Sequence, residues 1–266
     1  QAGVKLEWGN DETVVELTRM IAMREGIGDL LAKGTKLASE EMGGDSYKWA
    51  VQAKGLEQSR VETRSTFAYA LAFAINSRGP DHLNSECLAE RGGSKEAISL
   101  IKRITGSEKY AVSTNTEKRA DIVRWHEDVY ALGDSCGICA FPTTAQHWMD
   151  EFDIAEVLSA ASGLELTSDE VMLMGRRTIT LERLCCALLG YTRDDDILPY
   201  RLMNEFSPSK RENSGDNSTE MLERMKDDYY RLHGWDMERG WPKKETLEML
   251  GMGELIPVVS KTITLP

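Results

Sequence analysis

Asp134-Ser135-Cys136-Gly137-Ile138-Cys139 lies near the middle of the 266-residue chain, between a long helical pattern ending at Ala131-Leu132-Gly133 and the breaker Phe141-Pro142. Glycines around two thiols, with an acid at the entrance, predict a tight loop whose backbone N–H groups are free to point at a ligand. Such a loop can hold a sulfur-ligated metal or cluster while its amides and carboxylate hold an organic cofactor. The same residues also read as a turn whose two cysteines are buried, inert and packed as small apolar groups.

On both sides of this loop the pattern is helical. Upstream, Asp11 is the expected N-cap of a helix with the stripe Val14, Val15, Leu17, Ile21 and Ala22, and a second helix is expected over 27–42, stopping at Gly43-Gly44. Ser65 to Ser77 (Phe67, Ala70, Leu71, Phe73, Ala74) predicts a buried helix, closed by Arg78-Gly79-Pro80-Asp81-His82-Leu83. Further helices are expected at 94–105, 116–132, 144–162, Ser168–Leu189 and 218–232, with a short one from Pro242 to Leu250. Residues 193–199 read as a polar turn and 207–218 as a mobile surface loop; Ile256 to Leu265 alternates like a strand. The fold class is therefore mainly α.

The net charge of −12 disfavours nucleic acid or an anionic membrane as partner. No apolar run approaches the ~20 residues of a membrane span, and the first residues are no signal peptide. Five cysteines, an odd number with an adjacent pair at Cys185-Cys186, are no secreted disulfide framework; a reducing cytoplasm is expected. An opening at Gln1 that runs straight into Val4-Lys5-Leu6-Glu7-Trp8-Gly9 looks like a chain entered mid-fold.

Among the histidines, His82 follows a Gly-Pro break at the end of a buried helix, where a side chain can be presented into a cleft or simply be satisfied structurally. His126, amid Arg124, Glu127 and Asp128, reads as a surface residue or one that supports a site from behind, and His147 and His233 show no partner pattern. Glu57, Glu62 and Asp81 are acids able to move protons, at spacings that prove nothing. Cys136 and Cys139 form a Cys-x-x-Cys pair, half a zinc site or a redox pair, with no second pair at zinc spacing. Cys185-Cys186 reads as core and Cys87 has no companion. A cluster at Cys139 would need thiolates from outside this sequence.

Taken in order, Leu6 to Asn10, Arg24 to Gly34, Lys54 to Glu57, Glu62-Thr63-Arg64, Asn76 to Leu83 and Asp134 to Cys139 form a recognisable series. It continues through Gly175-Arg176-Arg177, Leu181-Glu182-Arg183, Leu198 to Arg201, Tyr229-Tyr230, Gly234-Trp235-Asp236 and Leu247 to Gly251. This series resembles the C-terminal helical domains of the tungsten- (or molybdenum-) dependent aldehyde:ferredoxin oxidoreductase family, over essentially the whole chain. In the family's Asp-x-x-Gly-Leu-Cys motif, here with Ile138 for Leu, the resemblance implies that Asp134 hydrogen-bonds a pterin. It implies Asp134, Gly137, Ile138 and Cys139 as cofactor-binding, with Cys139 the fourth thiolate of a four-iron, four-sulfur (4Fe-4S) cluster. His82 matches the histidine of Arg-Gly-x-x-His-Leu, beside the metal, and is the implied catalytic residue. Val61-Glu62-Thr63-Arg64 departs from the family's Tyr-Asp-Pro-Arg on the substrate side.

The implied cofactors are a tungsten (or molybdenum) bis-pterin and the cluster, whose other ligands lie outside this chain. The implied partners are ferredoxin or another electron-transfer subunit, a separate N-terminal domain, and a small aldehyde or acid substrate, with a homodimer left open. Residues 1–50 would end a helical middle domain and 51–266 would form a C-terminal helical domain, inactive without the missing domain. A tungsten subunit of a benzoyl-CoA-type reductase and a non-catalytic helical scaffold are the alternatives.

Overall fold

The computed structural model describes residues 4–207 and 218–266. Among them helix dominates and one two-stranded sheet appears, in keeping with the mainly α class. α1 (Asp11–Met23) starts from Asn10, whose side chain accepts the Thr13 N–H at 3.0 Å, one residue before the expected Asp11 cap. The helix expected over 27–42 is broken into α2 (Ile27–Leu31) and α3 (Thr35–Met42), because Gly34 at φ +83° leaves the helical region. β1 (Gln52–Ala53) and β2 (Leu56–Glu57) form an antiparallel hairpin too short to leave an alternation in the sequence.

α4 (Phe67–Ile75) is buried along its whole length, as its alanine-rich pattern predicts. No side-chain cap serves its N-terminus. Instead the buried Glu90 carboxylate accepts the N–H groups of Ala68 at 2.8 Å and Tyr69 at 3.3 Å, with Arg119 3.3 Å away. α5 (Lys95–Thr105) matches its expected span. α6 (Arg119–Cys136) runs past the expected end at 132, so Asp134, Ser135 and Cys136 form its last turn rather than a loop. Nothing in Asp-Ser-Cys breaks a helix; the stop comes at Gly137, in the left-handed region at φ +72°.

Downstream, Phe141–Ala145 winds into one π-helical turn, and α7 (Glu151–Ser162) begins only at the Asp150 capping box rather than at 144. α8 (Ser168–Leu188) packs along α6 and crosses it at Gly175, where a Cβ would lie 2.0 Å from the Asp128 carbonyl oxygen. α9 (Tyr200–Asn204), α10 (Thr219–His233) and α11 (Lys244–Met249) follow. Of the loop expected at 207–218, residues 208–217 lie outside the described residues, and Ser218 caps α10. The strand expected over Ile256–Leu265 is instead α12 (Ile256–Val259) and a turn: Pro257 suits a first helical turn, and Val259 and Leu265 join Leu184, Leu247 and Met252 in a small second core.

Buried charge holds these helices in register. Lys54 and Arg183 both meet Asp196, at 2.7 Å and at 2.9 and 2.7 Å, and Tyr230 donates to the same carboxylate. The supposed polar turn at 193–199 is therefore anchored through its acid. Among the described residues no helix is long and apolar enough to cross a membrane.

Candidate functional site

The end of α4 is placed from below. The Lys54 ammonium donates to the carbonyls of Ala74 at 2.6 Å and Asn76 at 3.0 Å, fixing the point where the helix stops. Asn76 then folds the following turn, its Oδ1 accepting the Arg78 N–H at 2.9 Å and its Nδ2 donating to the Asp81 carbonyl at 3.2 Å. Gly79, at φ +112°, lies so close to the hairpin that a Cβ would come within 2.7 Å of the Ala53 carbonyl oxygen. Asp81 caps the next short turn through the Leu83 N–H at 2.9 Å, leaving His82 at its start. The His82 side chain is 37% exposed, and its Nδ1 is buried, 3.9 Å from Asp81 and without a hydrogen-bond partner.

This turn meets the end of α6 through Arg78, which lies 3.4 Å from Asp81 and 3.6 Å from Asp134. Asp134 projects outward, its side chain 57% exposed. Of the loop amides expected to be free for a ligand, those of Gly137 and Ile138 are used internally, donating to the Gly133 carbonyl, the latter at 2.8 Å. Gly137 contributes its left-handed backbone and Ile138 packs against the core, which turns the chain so that the thiol of Cys139 faces out. Cys136 is exposed as well. The inert-cysteine reading of this segment fails, because neither thiol is buried. The paired cysteines on α8 split, Cys186 buried and Cys185 exposed, so only half of that expectation stands.

Two further groups belong to this site and carry no signal in the sequence. Tyr130, one turn before Asp134, is pushed up to about 12 by burial, with Asp134, Glu86 and Asp81 adding to the shift. On α8, burial raises the Glu182 carboxyl above its usual range, Arg78 opposing and Asp134 reinforcing the shift, and its Oε2 is buried without a hydrogen-bond partner. Among the acids named from sequence, Glu57 accepts the Thr35 N–H at 2.8 Å and Glu62 pairs with Arg64 at 2.7 Å. Arg64 also reaches the carbonyls of Glu205 and Phe206, at 2.9 and 3.0 Å.

The remaining histidines are not surface residues. His126 is fully buried, its Nδ1–H donating to the Ile122 carbonyl at 2.7 Å and its Nε2 3.4 Å from that of His147. Burial lowers the first to about 3 and the second to about 4. His233 is buried 2.9 Å from Glu127, off the hydrogen-bond axis, and Tyr229 donates to both oxygens of that acid at 3.0 Å. Apart from Ile122, their partners come from distant segments, so no local pattern announces them.

For the cofactors implied by the sequence the fit is one-sided. Among the described residues no three His, Cys, Asp or Glu side chains converge on a metal position, so these residues alone form no metal cage. An outward thiol, an outward carboxylate and two orphaned buried polar atoms, on His82 and Glu182, do suit a group whose other contacts come from elsewhere.

A family model described as "Aldehyde ferredoxin oxidoreductase, domains 2 & 3" matches residues 1–252. A tungsten-containing aldehyde ferredoxin oxidoreductase of Pyrococcus furiosus is 32% identical over 248 residues, 93% of this chain and 38% of its own length. A WOR-like subunit of an aliphatic sulfonate oxidoreductase from the same organism is 29% identical over 264 residues, 95% of this chain and 36% of its own. The chain thus spans less than two-fifths of these relatives. In fold it is similar to a chain of the BamBC active-site complex of benzoyl coenzyme A reductase, with a TM-score of 0.73 at 22% identity, covering 98% of this chain and 42% of that one.

Proposed function

Because this chain belongs to the aldehyde ferredoxin oxidoreductase family, as its domains 2 and 3, we propose that it is the C-terminal part of a tungsten-pterin, iron–sulfur oxidoreductase that converts an aldehyde to a carboxylate. On this reading residues 1–50 end the family's middle domain and 51–266 form its C-terminal domain. A bound tungsten-pterin and a four-iron, four-sulfur cluster would supply the two-electron oxidation, by which an aldehyde and water give a carboxylic acid, two protons and two electrons for ferredoxin.

The chain's own residues bind and position. Asp134 accepts pterin N–H groups through its exposed carboxylate, and Cys139 offers its thiolate as one cluster ligand, the other thiolates coming from the part of the relatives' length that this chain does not span. His82 holds or moves a proton at the carbonyl oxygen, with Asp81 setting the turn that presents it. One observation carries the reading: Arg78 lies between Asp81 and Asp134, which puts the His82 turn beside the end of α6, just before the open thiol of Cys139. The Glu62–Arg64 pair holds residues 205–206 on the side where the resemblance places the substrate, so the aldehyde accepted is read by assay.

The test is metal analysis and turnover of the full-length protein. Tungsten (or molybdenum) and iron are expected, with aldehyde-dependent reduction of ferredoxin. Reduction of an aromatic acyl-CoA instead would move the protein to the benzoyl-CoA reductase type, and a metal-free protein would make it a scaffold. Replacing His82 by Asn should lower turnover by about 10²- to 10⁴-fold with metal content unchanged; unchanged turnover removes His82 from the chemistry.

A further inference from the structure

The buried stretch of α6 and the π-helical turn at Phe141–Ala145 bring two imidazoles face to face. His126, on α6, bonds through Nδ1 to the Ile122 carbonyl at 2.7 Å. A carbonyl oxygen can only accept, so the ring proton is on Nδ1, and in the neutral ring Nε2 keeps its lone pair. A backbone carbonyl on the far nitrogen is also what fixes the tautomer and orientation of metal-ligating histidines. His147 follows the π-helical turn at φ +57°, a conformation disfavoured for residues with a Cβ, its N–H bonded to the Thr143 carbonyl at 2.9 Å. Its Nε2 stands 3.4 Å from that of His126, with the ring planes at 84°.

That separation is longer than the roughly 2.7–3.2 Å of a good hydrogen bond from N–H. It matches a different geometry: two imidazole nitrogens, each about 2.0–2.1 Å from one tetrahedral zinc ion, stand about 3.3–3.4 Å apart. Access comes from the side of His147, which is half-buried and lines a cleft of about 200 Å³ with Glu96, Ser99, Arg103, Trp125 and Asp150 among its walls. Arg103 is held there by Asp150 and Glu151. Glu96, exposed in the first turn of α5, is the other carboxylate on the rim.

We propose that His126 and His147 form a binding site for a divalent transition-metal ion of the zinc class, ligated through both Nε2 atoms. Two imidazoles do not close a cage. The remaining positions fall to water from the cleft and to Glu96 when its side chain turns inward, which makes the site open and exchangeable. Nitrogen ligands select zinc-like ions over magnesium and calcium, which take oxygen. The site uses neither the pterin nor Cys139, so it stands or falls independently of the functional reading above.

The experiment uses the full-length protein, stripped of loosely held metal with a chelator and titrated with zinc by equilibrium dialysis. Wild type is expected to bind one zinc ion per chain more than His147→Gln. At that site the variant should lose more than the roughly 10- to 100-fold in affinity that removing an outer partner of a ligand costs. Glu96→Gln should weaken binding less than His147→Gln does. Equal zinc binding in wild type and His147→Gln overturns the proposal. If His147→Gln does not fold, wild type alone decides through modification of His147 by diethyl pyrocarbonate, read by peptide mass spectrometry. Zinc should shield His147 and magnesium should not; modification unchanged by saturating zinc, or equal shielding by both ions, overturns the proposal.

Discussion

Gly133 divides α6 into two environments. Before it, Glu127 and Asp128 are fully buried and matched, the first by Tyr229 and the second by Arg176, whose Nε lies 2.9 Å from Oδ1. After it, Asp134 keeps 57% of its side chain in solvent, and the thiols of Cys136 and Cys139 are exposed. Glu127 and Asp128 find their hydrogen-bond partners within the chain, whereas Asp134 lies 3.6 Å from Arg78 and keeps most of its side chain in solvent. The contrast separates the part of α6 whose acids the fold itself matches from the part that stays open to solvent. A rigid, self-satisfied helix is also what an open site requires, since exposed thiols and orphaned acids hold position only if the element beneath them does not move.

The largest difference between the two ends should appear on removing a charge partner. Arg176→Leu strands the fully buried Asp128 and should cost about 3–5 kcal/mol in urea unfolding. Asp134→Asn should change stability by no more than about 0.5 kcal/mol. Equal effects would mean that both ends of α6 are structural.

A smaller effect concerns pH. Burial holds His126 down at about 3, against the usual 6.5, so in acid the unfolded chain takes up a proton that the folded chain refuses. The stability this group contributes is whole above pH 6.5 and is lost as pH falls from there toward 3. The loss amounts to at most roughly 1.4 kcal/mol per pH unit. Denaturation at pH 4.5 and pH 7 should show a shallower difference in His126→Gln than in wild type. An unchanged difference would show that other groups set the acid limit.

Gly137 gives the smallest effect. Its φ of +72° is strained for any other residue, yet no atom lies within 4 Å of an added Cβ. Gly137→Ala should therefore cost about 1 kcal/mol through backbone strain alone, measured as a lowered thermal midpoint. A loss as large as that of Arg176→Leu would mean that the turn supports the core and not the thiol beyond it.

Legibility in the sequence followed the same divide. The alanine-rich α4 and the spans of α8 and α10 were readable because their apolar periodicity is local. From the Gly-Pro break before it, His82 was readable as either a presented or a structurally satisfied side chain; in the fold it is 37% exposed, with Nδ1 buried and unpartnered. The surface reading of His126 was mistaken, because the charged Glu127 and Asp128 beside it suggest water. The groups that bury those two acids, Arg176 and Tyr229, lie 48 residues from Asp128 and 102 from Glu127, beyond any periodicity. Glu182 was hidden for the same reason, its neighbours being Arg78 and Asp134. Cys139 could be singled out only through family resemblance, since exposed and buried cysteines look alike in a pattern of apolar residues.

Cys139 carries the central claim, that an open thiol just past the end of α6 closes a four-iron, four-sulfur cluster whose other ligands come from outside these residues. Iron counting and low-temperature electron paramagnetic resonance on the reduced full-length protein, wild type against Cys139→Ser, test it directly. The expected result is a four-iron signal in wild type that is lost or converted to a three-iron signal in Cys139→Ser, with helical content unchanged. An identical iron count and spectrum in both proteins would contradict it.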